Sequence, residues 1–466
     1  MPLIDSISVL DKVKHDSDGR MSITASGEVL KKGIWPRSVA LWMAAFYVVL
    51  FIIRPWEQLF PSLGTIYFER VYALCMIAVV LLSGRVQIRI NLQTITVIFF
   101  FFAVSFSAIF ARHSSLAWDP LYEYLTLVVF FFILMLVVHT PYELFFMVTC
   151  YIVALAVYLA KSQWEFFVHG QNRFDMGVYR LTGIEGTFGG PNSLAMSVVV
   201  SLPMLLFLWS IRKEFSSEWP RVWHKWFPRF LVFYAALAVS SIILTNSRSG
   251  MVSFILFVAL ATFRGRGIGR KISYILLGIV VLAMLWLVMP EDKKDRFRTI
   301  WAPETGPKTA QISAEGRIEG YKAGMKMFEE FPVSGVGIGN FITYRVLHVD
   351  GVALNAHNLA GQVLGETGMM GASAFLLMVI VTLANCQKVR ALARRKGSDP
   401  KLKALSGLGL AGRDAVILLA FEGLFGHNLL RFNWLWLAAF SSLALQFAKT
   451  NMKAKILKND HSQVVS

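Results

Sequence analysis

The chain has 466 residues, 56% of them apolar and 16% charged, with a formal net charge of +17 and a mean hydropathy of +0.56. A soluble domain of this length carries far more charge, so the composition excludes an aqueous fold and makes a membrane the natural solvent. The three cysteines, Cys75, Cys150 and Cys386, lie in or at the ends of apolar stretches, which excludes a disulfide framework or a cysteine metal site.

Residues 1–37 form a polar tail without the apolar core of a cleavable signal, which predicts a cytoplasmic amino terminus. Apolar stretches of spanning length follow at 38–53, 66–84, 93–111, 120–138, 143–160, 192–211, 230–244, 249–263 and 272–289. Three more lie at 367–386, 414–430 and 432–448. The expected fold is all-α, a polytopic membrane protein with about 12 transmembrane helices. Nine of them occupy 38–289, a large helical outer loop covers 290–365, three helices fill 366–448, and a cytoplasmic tail runs over 449–466. Positive charge tests this arrangement, because Lys and Arg are retained on the inner side. Segments assigned inside carry 29 of the 46 Lys and Arg but 11 of the 29 acidic residues. The net charge is therefore a topology signal and not a nucleic-acid footprint.

Two outer connections are long, 161–191 and 290–365, and such loops usually carry function. The first contains Arg180, followed by Leu181-Thr182-Gly183, with Asn192-Ser193 expected to cap the next helix. Arg248 lies in Thr245-Asn246-Ser247-Arg248-Ser249-Gly250, an expected turn between two spans. An arginine there runs against the positive-inside bias. It is either a bidentate clamp for a phosphate or a side chain snorkelling to the headgroups. In the second long loop Ile318, Tyr321, Met325 and Phe328 recur at helical spacing opposite Glu319, Lys322 and Lys326, which predicts an amphipathic helix ended by Pro332. Arg317 opens that helix and serves either a ligand or a surface ion pair.

Gly335-Val336-Gly337-Ile338-Gly339-Asn340 lacks the strand-loop-helix context of a dinucleotide fingerprint. It reads as a tight reversal, with an anion-binding nest as the other reading. His357, in Asn355-Ala356-His357-Asn358, precedes a helix whose amino-terminal dipole disfavours imidazolium. A neutral imidazole there is a competent base or an interfacial hydrogen-bonding group. Glu422 and His427 make a polar pair near the outer end of the eleventh span, and an intramembrane carboxylate is a functional candidate by default. His348 and Asp350 have no third ligand at useful spacing, so neither a metal nor a cofactor is expected.

Taken together, these blocks resemble the O-antigen ligase and O-antigen polymerase superfamily of bacterial membrane glycan transferases. The matching pieces are Arg180-Leu181-Thr182-Gly183 with Pro191-Asn192, Ser247-Arg248-Ser249-Gly250, and Arg317 followed by Tyr321-Lys322-Ala323-Gly324. The most diagnostic block runs from Phe331-Pro332 through the glycine-rich Gly335–Asn340 to Ala356-His357-Asn358 and Gly365-Glu366-Thr367-Gly368. The resemblance implies transfer of a glycan from undecaprenyl pyrophosphate on the periplasmic side of the inner membrane, with inversion and without metal. It assigns the pyrophosphate to Arg248, Arg317 and Arg180, and the acceptor hydroxyl to His357. Asn358, Glu366, Tyr321, Glu422 and His427 are supporting candidates. The expected acceptor is a glycan, a lipid A core or a protein hydroxyl. A transporter or flippase is the competing reading, but it predicts ionisable groups near mid-span, and here these are few.

Overall fold

A computed structural model describes residues 36, 38–57, 60–83, 90–175, 178–184, 187–188, 190–217, 219–264, 308–394 and 399–464, with isolated positions between 269 and 298. The amino-terminal half contains α1 (Val39–Ile53), α2 (Pro61–Thr65), α3 (Phe68–Leu82), α4 (Leu92–Ile109), α5 (Trp118–Val137) and α6 (Pro141–Val168). A hairpin of β1 (Arg173–Asp175) and β2 (Val178–Arg180) precedes α7 (Pro191–Phe215), α8 (Arg221–Leu244) and α9 (Arg248–Arg264). The 308–349 segment supplies α10 (Lys308–Glu330) and the short α11 (Phe341–Tyr344), which runs into a π turn at Arg345–Val349. The chain closes with α12 (Leu359–Ala393), α13 (Pro400–Glu422) and α14 (Phe432–Val464).

Proline occupies the first turn of α2, α6, α7 and α13, where its missing N–H costs nothing. Thr140 and Glu143 add a reciprocal capping box to α6. Among the described residues seven helices are long and apolar enough to cross a membrane: α4, α5 with the 3-10 turn before it, α6, α7, α8, α12 and α13. The all-α polytopic expectation therefore stands, but the count of twelve does not follow. α1 and α3 have 15 residues each and α9 has 17, and α14 occupies the position expected for the last span. Most of the expected ninth span, 272–289, lies outside the described residues. The β1–β2 hairpin is a small departure from an all-helical chain.

α12 is the axis of the second half and packs against α4, α10, α13 and α14. Gln93 on α4 is fully buried and accepts hydrogen bonds from Thr382 Oγ1 (3.2 Å) and Asn385 Nδ2 (3.1 Å). Polar groups removed from water are thereby paired across the helix interface. Asp414, also fully buried, joins α13 to the carboxyl end of α9 by accepting from Arg264 Nε at 2.6 Å, with Arg413 Nη2 at 2.5 Å on its other oxygen. A kink at Gly368 (φ +61°) divides α12, because Met369 N–H turns to Pro332 O at 2.8 Å. The first turns of α12 thus form a separate short rod against α10.

Candidate active site

The site begins with a glycine crossing. A Cβ on Gly320 would lie 2.1 Å from the Ala356 carbonyl oxygen, and one on Gly324 would lie 2.4 Å from that of Gly361. The backbones of α10 and α12 therefore touch, which only small residues permit. This turns the buried face of α10 away from the expected one, although Glu319, Lys322 and Lys326 are exposed as expected. Gly320, Ala323, Gly324 and Met327 are the buried set, whereas Ile318 and Tyr321 are 58% and 44% exposed.

The crossing carries Arg317 to the start of α12. Its carbonyl accepts from Asn358 Nδ2 at 3.2 Å, while Asn358 Oδ1 caps α12 by accepting from Gly361 N–H at 2.5 Å. Arg317 Nε donates to Phe425 O at 3.3 Å, and its guanidinium stands 5.9 Å from the centre of the Phe425 ring. Burial, with the charge of Arg248 added, pulls the Arg317 guanidinium below its ordinary pKa. Arg248 is thus electrostatically coupled to Arg317. It is not a turn residue, as expected, but the first residue of α9. Ser247 Oγ caps that start by accepting from Gly250 N–H at 3.1 Å, after Asn246 takes a left-handed φ of +49°.

His357 immediately precedes the Asn358 cap and also adopts a left-handed backbone, φ +50°. It is half-buried, and burial, Arg317 and Arg345, in that order, hold its pKa below the usual histidine value. Its ring meets that of His427 edge to face, with centroids 5.7 Å apart. His427 lies in the 423–431 connection and is pushed down to about 4 by burial, His357 and Arg431. Its Nδ1 is buried without a hydrogen-bond partner. Glu422 ends α13 just before that connection, 3% exposed, with Oε1 likewise lacking a partner.

Arg180 takes a different position from the other two arginines. It is 3% exposed at the end of β2, with Nε donating to Thr245 O at 2.9 Å and Nη2 to Asn192 Oδ1 at 2.6 Å. Leu181 N–H adds a bond to Leu244 O at 2.8 Å. Arg180 therefore ties the α8–α9 turn to the first turn of α7. Asn192 and Ser193 do not cap that helix. Gly190 is its N-cap without a side-chain bond, and Ser193 Oγ accepts from Arg431 Nη2 at 2.9 Å.

Arg431, whose Nη1 also donates to Thr187 O at 3.1 Å, is a site residue that sequence reasoning passed over. The signal was present, since Arg431 falls between the last two expected spans, where the positive-inside argument singled out Arg248. Arg345 was also missed. It is 1% exposed and grips Asp350 through Nε (3.0 Å) and Nη2 (2.8 Å), which holds the π turn behind His357. Asp350 is thereby committed to Arg345, and among the described residues no group of three or more His, Cys, Asp or Glu could hold a metal.

The glycine-rich segment is a reversal that turns a backbone N–H toward a carboxyl group. Gly335, Gly337 and Gly339 have φ of +66°, +106° and +75°, and Gly339 N–H donates to Glu366 Oε1 at 3.0 Å. That carboxyl group is the protein's own Glu366. Ser107 on α4 anchors both partners, accepting from Ile338 N–H at 3.0 Å and donating to Glu366 O at 2.7 Å.

Two coupled arginines and two imidazoles depressed toward the neutral form thus gather where α9, α10 and α12 begin or cross. Cations there suit a phosphate, and a neutral imidazole can take a proton. No curated protein matches the chain. Residues 233–376, which span Arg248, Arg317, His357 and Glu366, match the family model for O-antigen ligase, and this match supports the resemblance to the O-antigen ligase and polymerase superfamily.

Proposed function

We propose that this protein transfers a glycan from undecaprenyl pyrophosphate to a hydroxyl acceptor at the periplasmic face of a bacterial inner membrane, with both of its termini in the cytoplasm. The observation that carries the reading is the gathering of Arg248, Arg317 and His357 from three separate elements. The residue 290–365 segment is the catalytic loop in this reading. Arg248 and Arg317 hold the pyrophosphate, whose charge offsets their mutual repulsion and grows as the glycosidic bond breaks. His357 accepts the proton of the acceptor hydroxyl as its oxygen attacks the anomeric carbon. The bonding electrons leave on the pyrophosphate, so the anomeric configuration inverts. No metal takes part in this scheme.

Arg180 acts behind these groups, holding the α8–α9 turn that leads into Arg248 at the start of α9. Asn358 sets the His357 backbone through its cap, and His427 and Glu422 offer acceptor atoms to sugar hydroxyls. Tyr321, on the exposed face of α10, meets the acceptor in this reading, and the acceptor is a glycan, a lipid A core or a protein hydroxyl. The test is transfer by purified protein in detergent, where no compartments exist, from undecaprenyl-pyrophosphate glycan to an acceptor extract. Glycosylated acceptor in the presence of EDTA is the expected result. Intact lipid donor after exhaustive incubation overturns the reading and returns the chain to the transport class.

A further inference from the structure

A chain of hydrogen bonds crosses the site beneath His357. Gly339 N–H donates to Glu366 Oε1 (3.0 Å), and Gln362 Nε2 donates to Glu366 Oε2 (3.2 Å). Gln362 Oε1 in turn accepts from Leu429 N–H (3.2 Å). The chain thus joins the glycine reversal to the 423–431 connection, two residues beyond His427 and two before Arg431. It is built on the first two turns of α12, the short rod that Gly368 separates from the rest of the helix. The rod is fixed at its start by Leu359 N–H to Gly423 O (2.6 Å) and by Asn358 to Arg317 O.

We propose that Glu366 and Gln362 are positioning residues, which set the His427–Arg431 segment against His357 through this sequence of donors and acceptors, which converges on the Glu366 carboxyl. The inference rests on the glycan-transfer reading for its kinetic consequence, though not for its geometry. Both ends of the chain are backbone N–H groups, so each demands an acceptor, and between them one side chain must accept twice while the other accepts at its outer end and donates at its inner end. Glu366 with Gln362 satisfies that order. Glu366→Gln keeps the shape but forces one donor against another, whichever way either amide turns. Gln362→Glu instead sets two carboxyl groups side by side. The exchange of Glu366→Gln with Gln362→Glu restores the order in reverse. The amide then at position 366 accepts from Gly339 N–H through its oxygen and donates to the carboxylate then at position 362, whose other oxygen accepts from Leu429 N–H.

The experiment compares the two single variants and the exchange in the full-length protein reconstituted in liposomes. Turnover and donor KM are measured with undecaprenyl-pyrophosphate glycan, and the imidazole resonances of His357 and His427 are recorded with nitrogen-15 histidine. The single variants are expected to lose about tenfold or more in kcat with donor KM nearly unchanged, since small misplacements of reacting groups are costly while the Arg248–Arg317 pair is untouched. The His427 resonances should shift in the single variants, and both turnover and resonances should return in the exchange. Wild-type turnover and spectra in Glu366→Gln overturn the proposal, as does an exchange no better than the single variants at equal yield. If the single variants do not accumulate, an exchange that folds and works supports it, and one that fails overturns it. Absence of transfer by the wild type would sink the functional reading alone, because the resonances still report the geometry.

Discussion

Arg248 and Arg317 divide one task, and their chemistry makes it specific to arginine. A guanidinium presents two parallel N–H groups to a phosphate, whereas a lysine offers a single compact charge. Arg248→Lys and Arg317→Lys should therefore each lower kcat/KM by about tenfold or more although the charge is kept. Turnover with the lipid donor checks this, and normal values in both would leave the two arginines as snorkelling side chains. His357→Ala should cost about a hundredfold in turnover, the scale of a lost positioned base, while donor binding persists. The sign of its pH dependence follows from its surroundings. Its pKa lies below the ordinary 6.5, so the active neutral form survives into mildly acid solution, and activity falls only as pH drops through that lowered value. Arg317→Gln removes one of the charges that lower it, so the acid limb of the residual activity should move to higher pH. The depression of His357 was legible in the sequence, but its cause was not. The helix start could be read from Asn358, whereas burial and the charges of Arg317 and Arg345 depend on a tertiary approach that spacing does not encode.

The approach itself belongs to α10 and α12. The pattern Ile318, Tyr321, Met325, Phe328 pointed to the wrong face, because hydropathy sees large side chains and the real contact is made by Gly320 and Gly324, which have none. Gly324→Val should thus act where no side chain is lost, driving a branched side chain into the Gly361 backbone. Overpacking of this kind costs about 1–3 kcal/mol and should lower the unfolding temperature in detergent together with activity. Gly316, four residues earlier than Gly320 on the same helix, meets nothing within 4 Å where its Cβ would be. Gly316→Ala should leave activity intact and slightly raise the unfolding temperature, since alanine is favoured over glycine in a helix interior by about 0.5–1 kcal/mol. Equal effects of the two variants would deny the crossing. The caps show the same division. Asn358 and the α6 capping box are local and were readable in kind, while Asn192 and Ser193 are drawn from capping by Arg180 and Arg431, which arrive from residues far apart in the chain.

At the scale of the molecule, the site and the basic inner surface should lie on opposite sides of the bilayer, and α9 is the ruler. It begins at Arg248 beside the site and ends at Arg264, where the guanidinium meets Asp414. Seventeen residues of helix rise about 25 Å, a few ångströms short of a hydrocarbon core of about 30 Å, with the two terminal arginines beyond its apolar stretch. The Arg264 end continues into Arg266, Arg270 and Lys271 in the sequence, and Arg413 joins it from α13, so this end carries the charge that is retained in the cytoplasm. The Arg248 end is then expected to face outward, together with α10, whose glycine crossing ties it to the same site. α10 is not among the helices apolar enough to cross a membrane, so the outer segment cannot return through the bilayer by that route. Reporter fusions at Pro307, just before α10, and at Gly397, between α12 and α13, separate the two sides. Phosphatase activity is expected only from the first and a cytoplasmic reporter signal only from the second. The reverse pattern would place Arg248, Arg317 and His357 in the cytoplasm, and a lipid donor presented from the periplasm could no longer reach them.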